Sequence, residues 1–284
     1  MPFWLSIACL SIFQGALVAL PVRLDVRALT RLRGGGWAAV LPLSILAFVL
    51  IAREAEQASA QGLTYLALIA VPPLAALALA GLAREGRPRI AVLAAALFGL
   101  AWVNRGGLAG NAAATLLSGL SCVALGALLG AITPRRWLAA GIVAMALADT
   151  ALVVSDLLQA PNDALNAARP AAGLPRLQSA TFGSAVMGYG DLFAAAVLGG
   201  MLAAEGASQR GPAALATALA LGFDLLFFAV HELPATVPVA LSLLAWELSR
   251  RRRSAAGRGA RPGSRRRARS ARPPARPASR SPAP

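Results

Sequence analysis

Long apolar runs, broken by short clusters of Arg, Gly and Pro, organise this 284-residue chain. With about 20 apolar residues needed for one crossing of a roughly 30 Å hydrocarbon layer, the pattern predicts nine membrane helices. They cover 3–21, 37–52, 63–83, 89–103, 108–132, 137–158, 180–204, 212–230 and 233–249. The second and fourth are short, and Pro42, Pro72 and Pro73 fall where a proline kinks its helix. From Arg250 to Pro284 the apolar period stops and Arg, Pro, Ser, Gly and Ala take over, which predicts disorder. The expected fold is an all-α polytopic membrane bundle of about nine helices, divided into 1–136 (five helices), 137–249 (helices six to nine) and a tail, 250–284.

Composition agrees with that class. The chain is 57% apolar and only 14% charged, with a mean hydropathy of +0.64, well above a soluble domain. Net charge is +15, but thirteen Arg and no acid lie from Arg250 onward, so the rest of the chain carries only +2. Arg23, Arg27, Arg31 and Arg33 crowd the first linker, and Arg84, Arg87, Arg89, Arg135 and Arg136 fall in linkers on the same side. The positive-inside rule therefore places the amino terminus outside and the carboxyl terminus in the cytoplasm, in what is expected to be a prokaryotic cell membrane. A retained first span is expected rather than a cleaved signal peptide. The polybasic tail suits anionic lipid heads; it has no aromatic residue to stack on a base, so nucleic acid is not expected as a partner. Cys9 and Cys122 sit in apolar runs and His231 is the only histidine, so no disulfide, metal site or cofactor is expected.

Four acids interrupt the apolar runs: Asp149, Asp156, Asp191 and Asp224. An Asp at the centre of a membrane helix costs roughly 2.5–3.5 kcal/mol and so calls for a partner or a function. At about 1.5 Å per residue, Asp149 lies roughly 14 Å and Asp191 roughly 17 Å from the outer surface, whereas Asp156 lies about 3 Å in. Matching depth selects Asp149 with Asp191 and leaves Asp156 at the interface or at the mouth of the same cleft. Gly188 and Gly190 flank Tyr189 before Asp191, and without a Cβ they let the backbone leave a helix or another chain approach. The bland alternative is small-residue helix packing, which suffices for Gly183, Gly199 and Gly200. Pro234-Ala235-Thr236 opens the ninth run, and Pro238 four residues on leaves that helix start short of hydrogen bonds.

These motifs, in this order and in these spans, resemble the presenilin and signal peptide peptidase family of intramembrane aspartic (Gly-x-Gly-Asp) proteases over about residues 137–245. Asp149 followed by Thr150 to Val154 looks like that family's sixth-span motif, Gly188-Tyr189-Gly190-Asp191 its seventh, and Pro234-Ala235-Thr236 its ninth. Ala148 and Thr236 depart from the family's tyrosine and leucine. The resemblance implies an aspartic-type endopeptidase with Asp149 and Asp191 as the catalytic pair. Gly188, Tyr189, Gly190, Pro234, Ala235 and Thr236 would bind an unwound transmembrane peptide substrate. The inferred orientation, similar to signal peptide peptidase, implies substrate helices whose amino terminus is cytoplasmic.

Two carboxyls close together in low dielectric share one proton, the arrangement an aspartic protease uses. A prepilin-peptidase-like protease is the nearest rival, since Asp156-Leu157 and Ala160-Pro161-Asn162 have some of its look; Leu192 and the lack of a Cys-x-x-Cys loop count against it. A proton-coupled transporter would also place acids and glycines inside its spans, although no internal repeat is visible. A non-catalytic membrane protein is the third alternative.

Overall fold

The computed structural model describes residues 2–25, 27–54, 56–157, 159–168, 173–230 and 232–259. His231 and the tail beyond Gly259 lie outside the described residues. In chain order the elements are α1 Phe3–Ala19, α2 Arg27–Thr30, α3 Val40–Glu54, α4 Glu56–Leu77, α5 Leu93–Val103, α6 Leu108–Ile132 and α7 Arg135–Val154. There follow α8 Gln159–Ala167, β1 Ser179–Phe182, β2 Ala185–Gly188, α9 Tyr189–Ala204, α10 Arg210–Asp224 and α11 Val237–Gly259. A π turn, Ala78–Leu82, continues α4, and the 3-10 turn Leu225–Phe228 continues α10.

A helix occupies each of the nine apolar stretches, and among the described residues four are long and apolar enough to cross a bilayer: Ala60–Leu82, Leu108–Ile132, Arg135–Val154 and Arg210–Phe228. These point to an integral membrane protein. Among the shorter ones, α1 has 17 residues and α9 has 16, reaching about 26 and 24 Å against a layer of about 30 Å.

Three expectations need correction. The predicted helix 180–204 begins only at Tyr189, because Ser179–Gly188 forms an antiparallel hairpin in register Ser179↔Gly188 to Phe182↔Ala185. Its two-residue turn is Gly183-Ser184, with Gly183 at φ 59°, a conformation open to Gly and costly for other residues. Thr115 on α6 anchors the first strand, donating to the Thr181 carbonyl at 3.0 Å and accepting from the Thr181 N–H at 3.1 Å. Next, the loop expected at 159–178 contains α8. Finally, the disorder expected from Arg250 does not begin there: α11 runs on to Gly259.

Met1–Leu244 form one compact unit. Within this unit α9 is the central helix, buried without a break from Leu192 to Ala203. No single amphipathic stripe is possible on a helix surrounded in this way, and its residues are apolar all round. Small residues set how closely its neighbours approach. A Cβ on Gly200 would lie 1.9 Å from the Gly126 carbonyl oxygen of α6, and one on Gly126 would lie 2.3 Å from that of Ala196. Backbone thus meets backbone, as in small-residue crossings of membrane helices generally. On another side of α9, α1 crosses α10 with Gly15 against Thr217.

Candidate active site

Asp149 lies on α7 and is 6% exposed. Met145, Asp149 and Val153, four residues apart in turn, present one face of α7 to a cavity of about 770 Å³. Asp191 lines the same cavity from the first turn of α9. Its Oδ2 accepts the Gly188 N–H at 3.1 Å, so the break between strand and helix orients this carboxyl. The two acids interact electrostatically.

An ion pair gives the two acids a common reference point. Arg135, at the start of α7, meets Glu205, just past the end of α9, at 3.0 Å. From that pin Asp149 and Asp191 each stand fourteen residues along their helices, a climb of about 21 Å on either side. Equal lengths of chain thus separate each acid from the ion pair, and both border one cavity.

The Pro234-Ala235-Thr236 segment leads into α11 and supplies a third wall. Thr236, 1% exposed, donates its hydroxyl to Asp149 Oδ2 at 2.6 Å. One residue earlier, the Ala235 carbonyl accepts the side-chain amide of Gln14 at 2.9 Å, and the same amide donates to the Asp191 carbonyl at 3.2 Å. A continuous path therefore runs from Asp191 backbone through Gln14 and Ala235 to Thr236 and the Asp149 carboxyl. Pro234 is buried beside this path.

The glycines expected in substrate binding are placed for close approach. A Cβ on Gly188 would lie 3.0 Å from Asp191 Oδ2, and one on Gly190 would lie 3.2 Å from Met145 Cε. Tyr189 lines the cavity while its hydroxyl shares a 2.8 Å hydrogen bond with Ser121. Gly188, Tyr189, Gly190, Ala235 and Thr236 all border the cavity with the two acids, whereas Pro234 does not.

Asp156 is elsewhere. It lies past the end of α7, exposed, at φ 56°, and does not line the cavity. Asp224 does line it, accepting the Ser11 hydroxyl at 2.7 Å. Asp163 and Glu232 complete the acids of the wall, and Glu232 accepts from Asn162 of α8 at 3.0 Å. No basic side chain lines the cavity among the described residues, in a chain of net charge +15. No group of three His, Cys, Asp or Glu is placed to hold a metal among the described residues.

Gln14 and the contribution of α1 were absent from the residues singled out in the sequence. The available signal was a lone amide in an apolar run, which in a membrane helix calls for a partner. Comparison with protein-family models, with curated proteins and with solved structures finds no match.

Proposed function

We propose that this protein is an intramembrane aspartic endopeptidase that hydrolyses peptide bonds in transmembrane segments through Asp149, Asp191 and a water. The observation that carries the reading is one cavity walled by both carboxyls, each from a different helix, with Thr236 bonded to one of them. A peptide bond in a membrane helix is shielded by its own hydrogen bonds and by the lack of water. Cleavage there needs a wet pocket and a locally unwound substrate, and the cavity provides room for both.

One member of the pair, ionised, takes a proton from water as the water oxygen bonds to the scissile carbonyl carbon. The other, protonated, gives its proton to the carbonyl oxygen. The resulting diol collapses as the nitrogen takes a proton from the first carboxyl and leaves, and a hydroxyl returns its proton to the second. Each acid ends as it began. Gly188 and Gly190 give the unwound stretch access to backbone, and Ala235 and Thr236 border the same cavity. In this reading the amino terminus is outside, the segment after Arg250 lies on anionic lipid heads, and substrates enter with a cytoplasmic amino terminus.

The test is purified protein in bilayers with a labelled membrane helix of that orientation, with and without a transition-state-analogue inhibitor of aspartic proteases. Wild type cleaves and the inhibitor blocks it; Asp149→Asn and Asp191→Asn each lower the rate at least about 10³-fold while inserting normally. Full activity in either variant sinks the proposal.

A further inference from the structure

Each carboxyl of the pair meets donors from this chain, and among the described residues only Asp149 meets a side-chain hydroxyl. At Asp191 the donor is the Gly188 N–H at 3.1 Å, inside the usual amide range of about 2.7–3.2 Å. At Asp149 it is the Thr236 hydroxyl at 2.6 Å, within the roughly 2.5–2.7 Å that hydroxyls reach when they donate to a charged carboxylate. A donor aimed at a carboxyl oxygen favours the ionised form and withdraws that oxygen from proton sharing.

The donor is itself held in place. Thr236 is 1% exposed, and the turn that carries it is tied through the Ala235 carbonyl to Gln14, which is 2% exposed and also holds the Asp191 carbonyl. The hydroxyl is thus fixed relative to both helices that carry the acids.

We propose that Thr236 is a positioning residue: its hydroxyl holds Asp149 as the ionised, water-activating carboxylate, so that the shared proton rests on Asp191. The inference depends on the proteolytic reading and assigns the roles which that reading leaves open. Asp149 takes the proton of the attacking water; Asp191 gives its proton to the scissile carbonyl oxygen. On collapse the nitrogen takes the proton from Asp149, and Asp191 recovers one from the diol.

Two substitutions separate the hydroxyl from its methyl group. Thr236→Val keeps the shape and removes the donor; Thr236→Ser keeps the donor and removes the methyl. The expected result is a fall in kcat of at least about tenfold for Val at unchanged KM, with Ser within about threefold of wild type. Wild-type kcat in the Val variant overturns the inference, as does an order in which Ser is impaired and Val is not. Infrared spectra of the resting protein in bilayers give a second readout. The carbonyl stretch of a protonated carboxyl disappears in Asp191→Asn and persists in Asp149→Asn; the reverse pattern overturns the assignment. Because that spectrum needs no turnover, a protein that cleaves nothing yet shows the expected bands loses the proteolytic reading and keeps the proton assignment. One that cleaves but shows the reverse bands loses only the inference.

Discussion

Gln14 donates its side-chain amide to the Ala235 carbonyl at 2.9 Å, joining the first helix of the chain to the turn that opens the last. Its second bond, to the Asp191 carbonyl at 3.2 Å, makes one side chain a brace between two walls of the cavity. Gln14→Leu keeps much of the volume and removes both donations. Direct losses are modest, since hydrogen bonds between membrane helices average about 0.6 kcal/mol. Geometry is the larger casualty, because a displacement of about 1 Å at a reacting centre costs on the order of 10²-fold. The expected outcome is a drop in kcat/KM of at least about tenfold with a melting temperature close to wild type, measured on the same labelled helix. Wild-type cleavage would show that the brace is dispensable.

Hydropathy located a helix in every expected stretch because burying backbone in lipid demands internal hydrogen bonds, and apolar runs betray that need. It misplaced the start of α9 for the same reason. Ser179-Ala180-Thr181-Phe182 and Ala185-Val186-Met187-Gly188 are as apolar as a helix, and their actual signature is the pair Gly183-Ser184 between two short runs, a hairpin turn. That Asp149 and Asp191 could face one cavity was legible from counting residues, since helical rise is fixed. Which backbone and side-chain donors would meet them was not. Gln14 precedes Asp191 by 177 positions and Thr236 follows Asp149 by 87, separations at which no local spacing rule operates.

Asp156 is seven residues beyond Asp149 and competes with it in the sequence. The structure separates them by ending α7 at Val154 and turning Asp156 into the left-handed region, exposed and away from the cavity. Asn is at ease in that conformation, so Asp156→Asn changes neither fold nor local backbone. Cleavage is expected within about twofold of wild type and stability within about 0.5 kcal/mol. An inactive Asp156→Asn beside an active Asp149→Asn would reverse the choice of partner for Asp191.

The ion pair Arg135–Glu205 lies far from the cavity, yet the level of both acids is counted from it. Its side chains are 23% and 25% exposed, so its own contribution is that of a partly screened pair, about 1 kcal/mol. Arg135→Glu sets two acids against each other where α7 begins and α9 ends. Repulsion there pushes the ends of the two helices apart, and a displacement of one residue's rise moves a carboxyl by about 1.5 Å. Cleavage should fall at least about tenfold. Adding Glu205→Arg restores opposite charges in reversed order and should recover most of the rate, a coupling that independent sites would not show. Equal rates in the single and double variants, measured on the labelled helix, would mean that the pair does not set the register and that packing along α6 and α9 alone fixes it.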